Sequence, residues 1–189
     1  MEKKLYRGAL IFFVVMLLIS ILWPYEQKLQ DWDLDPDYAV RESDEIFFNN
    51  TRIHLYSTEE RKELAQQGFK AHRYLRCSKD TNDPFLNFTI INSWRTDQAY
   101  ILAEPSAKDL FSDTVQISIN DSVVAIQLGY MDFEDHYKLA AWIFQNSLAN
   151  QDAHLLIDGD SLNLFGTQGN QNANYVVLKD YFRLIGRYQ

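Results

Sequence analysis

The 189 residues suffice for one ordinary domain and an appendage, and a composition 47% apolar and 23% charged excludes a disordered or fibrous chain. A net charge of −8 argues against nucleic acid as a partner. With Cys77 as the single cysteine no intrachain disulfide can form, so the fold must rest on its core.

The chain opens with a short basic tail, residues 1–7, that carries Lys3, Lys4 and Arg7. Residues 8–23, GALIFFVVMLLISILW, contain no charge and predict a helix roughly 24 Å long at ~1.5 Å per residue, a little short of the ~30 Å hydrocarbon core of a bilayer. Tyr6, Trp23 and Tyr25 suit the interfaces. Bulky Ile21, Leu22 and Trp23 after Ser20 do not suit signal cleavage. The expectation is an uncleaved signal anchor: a single-pass transmembrane helix in the plasma (inner) membrane, in contact with the lipid bilayer. The basic tail places its N-terminus in the cytoplasm and the remaining chain in the periplasm or outside the cell.

Residues 24–44 form an acidic connector with Pro24 and Pro36, expected to stay extended and hydrated and to hold the domain off the bilayer. Residues 45–189 read as a single α+β domain. IFFNNTRIHLYS (46–57) and FKAHRYLRC (69–77) have strand composition, the latter including Cys77. Ser57 and Glu60 have capping-box spacing ahead of a short surface helix that Gly68 can close. Leu86, Phe88 and Ile90 alternate with Asn87 and Thr89, and QAYILAE (98–104) follows as the second arm of a hairpin. Val115, Ile117 and Ile119 precede a tight Asn120-Asp121 turn, then Val124, Ile126 and Leu128. HLLIDGDSLNLF (154–165) folds back at Asp158-Gly159. Two amphipathic helices follow from period 3.6: about Phe133 to Leu148, capped by Asp132, and NYVVLKDYFRLIG, stopped by Gly186. The polar GTQGNQNAN (166–174) between them reads as a loop. The fold class expected is α+β, with one N-terminal transmembrane helix and an antiparallel sheet of about 6–8 strands whose helices cover one face.

Chemistry is sparse. Phosphate-binding glycine loops and the G-x-S-x-G elbow are absent, and His54, His72, His136 and His154 show no metal-ligand spacing. Cys77 and His72 are five apart on one predicted strand, on opposite faces, and so make no nucleophile pair. Asp31, Asp33, Asp35, Asp37 and Glu42 occupy the oxygen-ligand positions of a calcium loop, but Pro36 stands where a glycine is required and no second helix is signalled. The section from Arg52 to Lys79 is locally basic, and Arg52, Lys70, Arg73 and Arg76 are candidates to contact an anionic ligand or a partner. No catalytic residue or cofactor is assigned. The functional expectation is a non-catalytic accessory or assembly subunit of a membrane or envelope protein complex, engaging protein partners there. The alternative is an extracytoplasmic binding domain for an anionic envelope component through section 52–79, and an enzyme with an unrecognised site comes third.

Overall fold

The computed structural model describes residues 2–22, 28–30, 32, 35–66, 68–79, 83–93, 95–106, 114–157 and 159–188. Among them the α+β class holds, but the strands form two antiparallel sheets of four rather than one sheet of six to eight. The first runs β1-β2-β3-β4 (Tyr56–Glu59, Phe69–Tyr74, Leu86–Ser93, Gln98–Pro105), and the second runs β6-β5-β7-β8 (Ser122–Ile126, Val115–Ile119, Ala153–Ile157, Asp160–Asn163).

The start of the outer edge of β4 is met by the connector: Ala39 bridges Gln98, the Val40 amide donates to the Asp97 carbonyl, and the Ala99 amide donates to the Tyr38 carbonyl. β5 lies in the second sheet, with β6 on one side and β7 on the other. Both hairpins of that sheet turn where two-residue loops were expected, Asn120 and Gly159 taking positive φ.

Helices α4 (Phe133–Leu148) and α5 (Gln168–Leu184) cover a face of the first sheet. Asp132 caps α4 by accepting from the amides of Glu134 and Asp135, and Asp135 returns the bond to the Asp132 amide, a complete capping box. The stripe Tyr137, Ala140, Phe144 enters one core with Leu86, Phe88 and Ile90 of β3, Ile117 and Leu155 of the second sheet, and Tyr181 and Phe182 of α5. Phe144 stacks on Phe182 with ring centroids 5.5 Å apart. Behind the first sheet a smaller cluster joins Phe69, Ala71 and Ile91.

α5 begins two turns earlier than its apolar pattern indicates. GTQGNQNAN is not a loop: Thr167 caps the helix through a bond from the Asn170 amide, and Asn170, Gln171 and Asn174 are buried. The reason lies across the interface. β2 pairs with β3 only as far as His72↔Ile90, which leaves the end of β3 near Phe88 without a strand partner on that side. The Asn174 side chain accepts from the Phe88 amide at 2.7 Å and donates to Asn87 Oδ1 and to the Asn170 carbonyl. Asn170 donates to Asn87 Oδ1 and accepts from the Ser78 amide. An asparagine side chain, which is an amide, thus stands in for a strand. Gly186 ends α5 at φ +67°, where an added Cβ would also collide with the Arg41 side chain.

Other expectations are corrected. Residues 46–57 are strand only at Tyr56 and Ser57: α2 (Glu42–Phe47) carries Glu42, Asp44 and Glu45 in its first turn, where the helix dipole favours acids. A wide helical turn, Phe48–Arg52, and a tight one, Ile53–Leu55, follow before β1 starts at Tyr56. Ser57 does not cap a helix, because Ser57, Thr58 and Glu59 pair with β2, and α3 is only Lys62–Ala65. Cys77 lies just past β2 in a turn closed by its amide to the Tyr74 carbonyl.

The transmembrane expectation is also overturned. α1 (Glu2–Leu22) is helical, but among the described residues no helix is long and apolar enough to cross a membrane. The signal anchor, the plasma-membrane localisation and the orientation derived from them fall with it. The described part of the connector, moreover, lies on the domain. Leu29 is buried and bridges Tyr188, the Gln30 amide donates to the Arg187 carbonyl, and Trp32, Tyr38 and Val40 pack against the core.

Candidate functional site

Asp180, Glu104, His72 and His136 are each engaged within the fold. Asp180 on α5 accepts two bonds from Arg52 Nε, at 2.9 and 3.0 Å, and one from the Tyr56 hydroxyl at 2.7 Å. Burial raises the Asp180 carboxyl, against the Tyr56 and Arg52 bonds that favour its charged form. Glu104 on β4 gathers Arg61, Arg73 and the Thr89 hydroxyl. Burial alone would raise its carboxyl, but those three donors hold it below the usual carboxylate range. His72 shares a 3.1 Å bond with Thr58 Oγ1, and burial together with the charge of Lys70 pushes it down to about 4. His136 is lowered as well, chiefly by burial, and its Nδ1 accepts the Ala103 amide. Burial pushes the Cys77 thiol up to about 12, so it is held as the unreactive thiol.

The predicted site residues are thereby placed. Arg52 and Arg73 are half-buried in ion pairs with Asp180 and Glu104, while Lys70 and Arg76 are exposed. The four do not converge on one open surface: Arg52 faces α5 and Arg73 faces β4. Of the acidic candidates, Asp31 and Asp33 lie outside the described residues. Asp37 accepts the Ala39 amide in a local turn, Asp35 is exposed, and Glu42 sits exposed in the first turn of α2. Among the described residues no group of three or more His, Cys, Asp or Glu side chains could hold a metal ion.

Two open sites differ in character: a small one of about 210 Å³ is lined by Gln30, Asp37, Arg41 and Arg187, and a wider one is mainly apolar. A groove of about 680 Å³ lies between β6 and α4. Val124 and Ile126 form one wall and Leu139 and Trp142 the other. Tyr130 and Met131, from the turn between the two elements, and Trp32 of the connector also line it. The volume lies within the ~300–1,000 Å³ of typical ligand pockets. Val124 is 41% exposed and Tyr130 87% exposed, apolar surface that a packed domain would ordinarily cover. Asp135 and Lys138 stand at the polar rim, Lys138 paired with Glu134 one turn away.

The sequence reading missed this groove. Its signals were present separately: Val123 and Val124 break the apolar-polar alternation of β6, and Trp142 lies off the main stripe of α4. The chain has no match among protein-family models, curated proteins or solved structures, so the site stands on its geometry.

Proposed function

We propose that the domain is a non-catalytic binding module, an accessory subunit that holds a protein partner through the groove between β6 and α4. The observation that carries this reading is the pairing of an open apolar groove with Glu104, Asp180, Arg52 and Arg73 committed to structural contacts. An active site gathers titratable groups at an open cleft; here they are gathered under helices and strands, and the groove itself is walled by valine, isoleucine, leucine and tryptophan. An anionic-ligand surface has less support, since Arg52 and Arg73 are already neutralised.

Affinity purification of the full chain from its native source tests the reading with three versions: wild type, Val124→Glu with Tyr130→Glu, and Lys70→Glu with Arg76→Glu. All four positions are exposed, so the fold should survive. A stoichiometric partner retained by the wild type and the Lys70/Arg76 version, and lost from the Val124/Tyr130 version, is the expected result. Loss from the Lys70/Arg76 version alone would transfer the function to the basic section.

A further inference from the structure

Resting on the groove as the binding site, we propose that its occupant is an extended segment of a partner protein that adds to the outer edge of β6 as a further strand of its sheet, sending alternate apolar side chains into the groove and a lysine or arginine toward α4. β6 ends its sheet, and none of the described residues pairs with its outer side. Ile119↔Ser122 flank the two-residue turn and Ile117↔Val124 are the next bonded pair, so the amides and carbonyls of Val123 and Ala125 point away from β5. Such a row of backbone groups is best satisfied by another extended backbone.

The other sheet edges carry devices that discourage strand addition. β1 has Glu59, engaged by Arg61 and Arg73; β8 is four residues long and begins at Asp160; β4 is bordered by the chain's own Tyr38–Val40. β6, SVVAI, has no charge and no proline, and four of its five residues are exposed. A strand added ~4.8 Å beyond β6 would face its inward side chains past Val124 toward Leu139 and Trp142. The same side chains would meet the exposed start of α4, where Glu134 is already paired with Lys138 but Asp135 lines the groove next to Asp132, in a chain of net charge −8. That imbalance selects a basic residue in the incoming segment.

The test selects random twelve-residue peptides displayed against the purified full chain, then measures the enriched peptides by calorimetry and amide exchange. Enrichment of alternating apolar residues with a lysine or arginine is expected, together with exchange protection at Val123 and Ala125. Val123→Pro removes an outward amide without touching a bond to β5 and should weaken binding at least about tenfold. N-methylating the bound peptide at alternate residues should do the same with the protein unaltered. Peptides lost on Val124→Glu yet indifferent to Val123→Pro and to N-methylation would overturn strand addition while leaving the groove reading in place. Peptides indifferent to Val124→Glu would sink both, and a wild-type dimer abolished by Val123→Pro would make the occupant a second copy and overturn the partner segment.

Discussion

The two sheets treat their unpaired backbone in opposite ways. In the first, the connector borders β4, ion pairs guard β1, and Asn174 supplies a partner where β2 leaves β3. In the second, β8 is short and polar, and none of the described residues pairs with the outer edge of β6. Three separate devices serve the unpaired backbone of one sheet, while none of the described residues covers the apolar edge of the other, the contrast on which the proposed binding role of the second sheet rests. The asymmetry also accounts for the polarity of their surroundings: the buried asparagines and ion pairs collect around β1–β4, and the groove around β6.

The largest effect should come from removing the surrogate strand. Asn174→Leu leaves the Phe88 amide buried without an acceptor and takes two donors from the network, so unfolding free energy in urea should fall by about 3 kcal/mol. Acid should come next and should strike the first sheet selectively. His72 stays neutral in the fold down to about 4, whereas in the unfolded chain it takes a proton below its ordinary value near 6.5. Between those values the unfolded state binds more protons, so stability falls as pH falls, by about 2 kcal/mol from pH 7 to pH 5. His136 adds to the loss in the same direction, while Glu104, held low, resists until the pH drops below the ordinary carboxylate range. Amide exchange should accelerate in β1–β4 more than in β5–β8, and His72→Gln should flatten the curve.

Uncovering β4 should cost less. Tyr38 is half-buried and packs on Tyr100 with ring centroids 4.5 Å apart, so Tyr38→Ala should lower stability by about 1–2 kcal/mol, with new exchange at the Ala99 amide. The smallest effect is expected at the bare edge. Val123→Lys should leave stability within about 0.5 kcal/mol and raise solubility, as charge on an open edge does. If Val123→Lys unfolded the domain, the contrast between the sheets would be wrong.

Much of the local structure was legible. Asn120-Asp121 and Asp158-Gly159 mark turns by their chemistry, and Asp132 before a 3.6-period stripe marks the start of α4. Partnership between strands was not legible, since alternation fixes which face is buried and says nothing about which strand lies alongside. Residues 46–57 misled because phenylalanine and isoleucine serve strands and buried helical turns alike. The start of α5 misled because Gln, Asn and Gly favour loops until a distant strand end, near Phe88, supplies partners for them. The bases visible in the sequence lie away from the candidate site, and pairing with Asp180 and Glu104 decided the fate of two. A groove assembled from residues as far apart as Trp32, Val124 and Trp142 has no contiguous signature.

The clasp between Leu29 and Tyr188 also bears on how the domain could be reinforced. It joins points separated by most of the chain, and the entropy of closing a loop grows with its length. A covalent link at this bridge would therefore restrict the unfolded ensemble more than a link across either hairpin turn. On the chain-entropy estimate a closure of this length is worth roughly 5 kcal/mol. Engineering the pair to cysteines, with Cys77 sealed in the core, would produce a domain whose stability follows the redox potential of its surroundings.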